Sequence, residues 1–458
     1  MTRSTRASGR TMARGAPVLD RSALIDWYTR NRERSRRLFD LVTDEAYYSR
    51  PISLRHPLVF YEGHLPAFSF NTLVKRGLGE RGIDARLEAL FARGIDPHES
   101  QAASLGAERA GWPSREEVQQ FADEADRRVM AALRSGDIER PGHPLLDRAE
   151  AAYAILEHEA MHQETLLYMW HRLPVDQKRR PAGYDPVTAG AAPRQEWMEV
   201  PAGRATLGID AGARPFSWDN ERPAHRADVP AFAMHRHDVT SAAYLEFVDA
   251  GGYADPAWWR PEDWRWLQAD HRRHPLFWER QDDAWHWRGM FDLLPLPLAW
   301  PAYVSYAEAL AYARWRGVRL PTEAEFQRAA YGTPTGAESP FPWGDADPAP
   351  EHGVLDFRSW DPHPAGSHPA GRSAWGLDDL VGNGWEWTST VFAPFPGFTV
   401  TPSYPEYSAD FFDNDHFVIK GASPATAREL LRPTFRNWFR PRYPYVYATF
   451  RCVRHDGA

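Results

Sequence analysis

The chain has 458 residues, enough for two or three domains with ample core, and its 54 Lys and Arg against 62 Asp and Glu leave a formal net charge of −8. That balance argues against a nucleic-acid-coating surface, and no uninterrupted apolar run approaches the ~20 residues of a membrane span. The single cysteine, Cys452, excludes an intrachain disulfide and any multi-cysteine metal centre, so a bound metal must be held by histidine and carboxylate. The expected setting is a reducing cytoplasm. At the N-terminus, Arg3, Arg6, Arg10 and Arg14 stand without an acid and without the apolar stretch of a secretory signal. A disordered tail is expected over residues 1–19, in preference to a transit peptide.

From Asp20 apolar residues recur at helical spacing, which predicts a helical bundle over residues 20–180 with segments at Ser22–Val42, Leu58–Arg76, Ser114–Arg134 and Leu145–Leu173. Pro57 and Pro66 interrupt the second segment. Ser114, with Glu116 and Glu117 in the first turn, is a helix start. Pro174–Arg194, with Pro181, Pro186 and Pro193, reads as a linker. The texture then changes over residues 195–458 to short β-like runs such as Trp197–Val200 and Ala205–Leu207. Helical pattern returns only at Ser241–Ala250, Ser305–Arg316 and Thr322–Ala330. The fold class expected is α+β, a bundle followed by a loop-rich domain.

The fourth segment carries His158-Glu-Ala-Met-His162. Residues four apart lie one turn apart on one helix face, so both imidazoles can reach one metal ion. Alone, the pair is weak evidence, and two histidines that merely pack and hydrogen-bond are the preferred reading until a third ligand is found. Glu159 also completes the His-Glu-x-x-His pattern of zinc hydrolases, whose third ligand would have to come from Glu164, His171 or Glu196. The preferred third ligand is His64, because a bundle sets its second helix beside its fourth; His56, before Pro57, is the alternative. Three imidazoles would leave positions open on an iron ion, which suits oxygen chemistry.

The second half contains Val239-Thr-Ser-Ala-Ala-Tyr-Leu-Glu-Phe-Val, Arg319-Leu-Pro-Thr-Glu-Ala-Glu-Phe, Trp343-Gly-Asp, Gly382-Asn-Gly-Trp-Glu-Trp-Thr-Ser and Phe450-Arg-Cys-Val-Arg. These stretches resemble the formylglycine-generating-enzyme-like domain, a modified C-type-lectin fold. Joined to a DinB-like bundle with His64 and His158-x-x-x-His162, the whole resembles the ergothioneine and ovothiol sulfoxide-synthase family. The resemblance implies Fe(II) on His64, His158 and His162, with O2 used to join a chalcogen to the imidazole of a histidine derivative. The cysteine pair of the formylglycine-generating enzymes themselves is absent.

The family's imidazole substrate is hercynine, the trimethylammonium betaine of histidine, and the resemblance maps its pocket onto Asn437-Trp438. Asn437 can hydrogen-bond a carboxylate or ring nitrogen, and Trp438 can face a quaternary ammonium. Two positions depart from the ergothioneine branch. Met161 stands where a substrate-touching Gln is frequent, and Phe439 stands where an acid would pair with the amine of γ-glutamylcysteine. The stretch Arg55-His-Pro-Leu-Val-Phe-Tyr-Glu-Gly-His64 is closer to the ovothiol branch, whose methyltransferase domain is not expected after Ala458. The combination resembles the selenoneine-synthase branch, with a selenosugar as donor. The Trp-rich stretch Trp258–Trp266 and Asp413-Asn414-Asp415 are candidate sugar-binding surfaces, though core and surface packing is the preferred reading of them.

The expected activity is therefore formation of a carbon–selenium bond at hercynine by an iron- and O2-dependent enzyme acting on small molecules, without nucleic acid or membrane. A carbon–sulfur bond made with cysteine or γ-glutamylcysteine is the alternative. The proton-donating tyrosine is sought among Tyr443, Tyr404 and Tyr407, since Phe395 occupies the stretch where the family's tyrosine would fall; Tyr445 is a further candidate. Two rivals of other classes are a zinc hydrolase using Glu159 and a non-catalytic lectin-like binding protein.

Overall fold

A computed structural model describes residues 19–94 and 111–455. The tail expected over 1–19 thus lies, but for Leu19, outside the described residues. The first half is helical. Helix α1 (Arg21–Asp40) starts at Asp20, whose carboxylate accepts the Ala23 amide. Helix α2 (Leu58–Ser69) starts after Pro57, carries Pro66 in its interior and widens into a π-helical segment over Phe70–Gly77. Pro66 has no N–H to give to the preceding turn, and the chain loosens there without breaking. Helix α3 (Ala85–Phe91) is capped by Asp84, α4 (Arg115–Ser135) by Ser114, and α5 spans Glu150–Arg172.

Two boundaries differ from expectation for local reasons. Helix α3 was not expected; its seven residues are too few to show a period, and the Asp84 cap at Arg86 and Leu87 is its start signal. The last bundle helix begins at Glu150 rather than Leu145. The His143 imidazole accepts the Leu145 and Leu146 amides at 3.1 and 3.2 Å, and Arg148 and Ala149 turn to φ +51° and +56°, closing a tight turn where a helix would otherwise run.

The second half joins small sheets with short helices. Strands β1 (Trp197–Val200), β4 (Phe232–His235) and β12 (Val453–His455) form one antiparallel sheet, with β4 central, and β2 (Gly203–Leu207) pairs with β3 (His225–Val229). Helices α6 (Ser241–Asp249) and α7 (Pro261–Ala269) lead to a meander of β5 (Trp278–Gln281), β6 (Ala284–Arg288) and β7 (Leu293–Pro295). Helix α7 uses Trp264 and Trp266 of the Trp-rich stretch as packing residues against the core. Helices α8 (Tyr306–Arg316) and α9 (Glu323–Tyr331) both open with capping boxes, Ser305 with Glu308 and Thr322 with Glu325. The remaining sheet has four strands. In it β8 (Gly384–Val391), β9 (Phe417–Ala422) and β10 (Asn437–Phe439) are antiparallel, and β11 (Ala448–Thr449) lies parallel to β8. Among the described residues no helix is long and apolar enough to cross a membrane.

The halves meet along α5. Arg432 sends Nη1 and Nη2 to the two oxygens of Glu157, each at 2.8 Å, and Nε to Glu221 at 2.8 Å; all three side chains are buried. Glu164 accepts Trp385 Nε1 at 2.7 Å, Ser423 Oγ at 2.6 Å and Thr426 Oγ1 at 3.0 Å. Beyond Arg172, Arg288 reaches the carbonyl of Leu173 at 3.0 Å, and the His171 ring bonds the Arg288 carbonyl and the Tyr447 hydroxyl.

Removing the Arg432 charge strands two buried carboxylates, so Arg432→Met should destabilise the protein by about 3–5 kcal/mol. The triple variant Arg432→Met, Glu157→Leu, Glu221→Leu should recover most of that loss. Denaturant unfolding followed by tryptophan fluorescence checks both.

Candidate metal centre and the surrounding pocket

His64 from α2 meets His158 and His162 from α5, and one ring nitrogen from each lies within 4.8 Å of the other two. Ring centroids are 5.2 Å apart for His64–His158, 4.9 Å for His64–His162 and 4.3 Å for His158–His162. Among the described residues this is the one such group of three. His56, the alternative donor, is committed elsewhere, with Nε2 on the Gly94 carbonyl at 2.9 Å.

The local chain explains how His64 is presented. Gly63 lets the Phe91 ring of α3 lie against α2, since a Cβ at that position would stand 2.3 Å from the ring. That approach brings the Phe91 carbonyl 2.7 Å from His64 Nδ1, which donates to it and leaves Nε2 as the lone-pair nitrogen. His64 Nε2, both nitrogens of His158 and Nδ1 of His162 are buried without a protein partner. Burial drives all three imidazoles toward the neutral form: His64 is pulled down to about 4, and His158 and His162 fall well below the ordinary histidine value. Charge adds to burial, with His162 and His64 acting on His158, and His64 and then Arg55 acting on His162. Buried, neutral, unpaired imidazoles converging on one point fit a transition-metal ion. Phe68 lies flat on the His158 ring, with centroids 3.5 Å apart and planes at 9°.

Glu159 faces the other way. Its Oε1 accepts Arg32 Nη1 at 2.6 Å and Ser35 Oγ at 2.7 Å, inside a buried network of α1 and α4 that includes Asp126. The carboxylate that a zinc hydrolase would use as general base is thus engaged away from the histidines. Its candidate third ligands are also engaged: Glu164 and His171 in the contacts above, and Glu196 with Arg236.

Around the histidines stands an aromatic wall. Tyr404 packs on Phe68 at 5.1 Å and on His158 at 5.9 Å between centroids. Tyr407 is one place further out, 5.7 Å from Tyr404, stacked on Trp218 at 4.0 Å, with its hydroxyl on Met161 Sδ at 3.2 Å. Trp438 meets Tyr407 edge to face at 5.3 Å and stacks one face on Phe392 at 4.1 Å. Asn437 Oδ1 accepts the Trp438 amide at 2.9 Å, so Nδ2 is what the side chain has to offer. Strand β10 is anchored by Arg436, which pairs with Glu323 and reaches the carbonyls of Asn220 and Ala393. Phe439 stacks on Tyr443 at 5.5 Å and 9°, and Tyr443 also meets Tyr168 and Tyr445 and lies under the Arg55 guanidinium at 4.9 Å. Phe395 packs instead on His225 and Arg436. Asp413 binds His416, and Asp415 binds Arg442.

Sequence reasoning did not find Phe91, Phe68, Trp218 or Arg55 as neighbours of this site. Phe68 carried a usable signal, four residues after His64 and so one turn along the same face. Phe91 carried none, because its backbone carbonyl is the contact. Two outcomes follow. His158→Ala and His162→Ala should each abolish stoichiometric Fe(II) or Co(II) binding at unchanged fold, while His56→Ala keeps it, by metal analysis and circular dichroism. Gly63→Ala, which pushes Phe91 off α2, should weaken metal binding about 10–100-fold by competition titration.

Comparison with known proteins agrees with this division. The sulfatase-modifying factor enzyme 1-like domain matches residues 185–456, and the DinB superfamily matches residues 28–166. Hercynine oxygenase of Mycolicibacterium thermoresistibile is 33% identical over 455 residues, covering 95% of this chain and 96% of that protein. Hercynine oxygenase of Mycolicibacterium smegmatis is 38% identical over 314 residues, 65% of this chain and 70% of that one. Ergothioneine biosynthesis protein 1 of Neurospora crassa is 27% identical over 494 residues; the match covers 90% of this chain and 55% of that protein. The chain belongs to the ergothioneine-type sulfoxide-synthase family, in which a DinB bundle precedes a sulfatase-modifying-factor-like domain.

Proposed function

We propose that this protein is a non-haem iron(II), O2-dependent enzyme that forms a carbon–chalcogen bond at the imidazole of hercynine, with a selenosugar as the preferred donor. The observation that carries the reading is the set of three buried, neutral imidazoles with unpaired nitrogens, set beside the Tyr404–Tyr407–Trp438 wall. His64, His158 and His162 would hold the iron, which supplies redox chemistry with O2 and an anchoring point for the reacting atoms.

The remaining roles belong to the chain. Trp438 offers its indole ring to the quaternary ammonium of hercynine, and Asn437 Nδ2 donates to its carboxylate or ring nitrogen. Met161, touched by the Tyr407 hydroxyl, shapes the floor beneath the imidazole. The Tyr404 hydroxyl is the favoured proton donor to reduced oxygen, because its ring packs directly against His158; Tyr407 is one ring further removed, and Tyr443 packs on Tyr168, Phe439 and Tyr445 instead. Phe68, Phe392 and Trp218 exclude water from the pocket, so that binding sets the partners in order.

At the donor end, Phe439 and Tyr443 form a stacked apolar surface where a charged amine would need an acid. This supports a sugar donor over γ-glutamylcysteine. A second reading, a carbon–sulfur bond made with cysteine or γ-glutamylcysteine to give a sulfoxide, is favoured by the relatives called hercynine oxygenase and ergothioneine biosynthesis protein 1.

Hercynine should bind more tightly than histidine by about 0.5–2 kcal/mol, and Trp438→Ala should erase that preference while Asn437→Ala weakens both ligands. Calorimetry with the iron-loaded protein reads this, and equal wild-type affinities would contradict it. Oxygen consumption with hercynine and each donor side by side decides the chalcogen. The selenosugar reading predicts the highest kcat/KM for a 1-selenosugar, and a clear preference for cysteine or γ-glutamylcysteine would replace it by the sulfur reading.

A further inference from the structure

The histidines of the metal centre are not held alike. His64 has the outer support common to metal-binding imidazoles: its Nδ1 donates to the Phe91 carbonyl at 2.7 Å, which fixes both the tautomer and the plane of the ring. His158 lacks it. One of its nitrogens belongs to the converging set of three, and neither nitrogen meets a hydrogen-bond partner in the protein, although the residue is only 1% exposed. The torsion that turns an imidazole about its Cβ–Cγ bond is soft, so a ring without a hydrogen bond takes its plane from whatever packs on it.

What packs on His158 is Phe68. His64 and Phe68 stand four apart within α2 and so lie one turn apart on one face of that helix. The same face that brings His64 to the other two histidines therefore lays Phe68 over His158, with centroids 3.5 Å apart and planes within 9°. Phe68 keeps partial exposure, so it forms the outer layer over a buried imidazole. It also meets Tyr404 at 5.1 Å and 61°, and a single ring thus touches both a metal-binding histidine and the favoured proton donor. His64 has a stacked neighbour of its own in Phe60, at 4.9 Å and 23°, but there the Phe91 carbonyl already fixes the ring.

We propose that Phe68 is the positioning residue of His158: its flat contact takes the place of the missing outer hydrogen bond, sets the plane in which this imidazole meets the other two, and holds Tyr404 in register with it. This rests on the iron reading of the preceding subsection and deepens it. The contact has an electrostatic side as well. A divalent ion draws charge from an imidazole that binds it and leaves the ring partly cationic, and the negative face of a phenyl ring attracts such a ring. Phe68 therefore favours the metal-loaded form over the empty one. A side chain of similar bulk without a flat face would still keep water away, but it would supply neither the plane nor the attraction.

Anaerobic binding of Fe(II) and Co(II) to the full chain, read by competition with a chromophoric chelator, tests this together with the visible spectrum of the Co(II) form. Phe68→Leu should weaken both metals about tenfold and alter the Co(II) bands at unchanged circular dichroism. Phe68→Tyr, which keeps the ring, should restore affinity and bands. Phe60→Leu should leave the bands in place, because His64 keeps its hydrogen bond to the Phe91 carbonyl. Should Phe68→Leu fail to fold, Phe68→Met, which is flexible and has no flat face, is read in the same way. Wild-type affinity and unaltered bands in whichever of these two folds would overturn the role of Phe68. A loss in Phe68→Tyr or Phe60→Leu as large as in Phe68→Leu would overturn it too, since general packing would then account for the effect. A wild-type protein that takes up neither metal would overturn the iron reading itself.

Discussion

One helix buried on almost every side governs this structure. Between Glu157 and Glu164, α5 meets three different surroundings at successive angles, and each polar residue on it must be satisfied by the surface it faces. Glu157 and Glu164, seven apart, face the C-terminal domain and take Arg432, Trp385, Ser423 and Thr426. Glu159 and Gln163, four apart, face α1 and take Arg32, Ser35 and the Asn31 carbonyl. His158 and His162, also four apart, face α2, and there the protein supplies aromatic rings and a third imidazole in place of hydrogen-bond partners. Three imidazoles whose buried ring nitrogens converge without protein partners are what marks the site.

The same constraint joins the two domains to one chemistry. Because α5 is shared, the contacts that dock the C-terminal domain on Glu157 and Glu164 also fix the angle at which the histidines meet the loops of that domain. Tyr404 and Tyr407 approach His158 and Met161 from a segment that lies more than two hundred residues further along the chain. The Arg436–Glu323 pair holds β10 in the same frame, so Asn437 and Trp438 present to the pocket from a sheet rather than from a free loop. Rigid supports of this kind allow a pocket to order substrates without a large closing motion.

Much of this was legible in the sequence where a short-range rule applied. The His158-x-x-x-His162 spacing, the caps at Ser114 and Thr322, and the strand Trp197–Val200 follow from helical pitch, capping chemistry and β-like composition acting within a few residues. The choice of His64 over His56 rested on bundle neighbourhood, and the structure brings His64, not His56, to the other two. Harder to read were features produced by backbone or by close approach. Helix α3 is too short to show a period, yet its Phe91 carbonyl orients His64, and the glycine that admits it is visible only once α3 is placed. The Leu145–Ala149 turn depends on a histidine accepting two amides, which apolar periodicity cannot register. The zinc-hydrolase pattern at Glu159 was correct as a pattern and misleading as chemistry, because Arg32 and Ser35 arrive from a helix over a hundred residues away.

The central claim is that His64, His158 and His162 together form the iron site. X-ray absorption at the iron edge, on protein loaded anaerobically with one equivalent of Fe(II), tests it most directly. The account predicts a first shell containing three imidazole nitrogens, with the remaining positions open and altered on addition of a 1-thiosugar. A shell of carboxylate oxygens, or zinc that iron cannot displace, would contradict it.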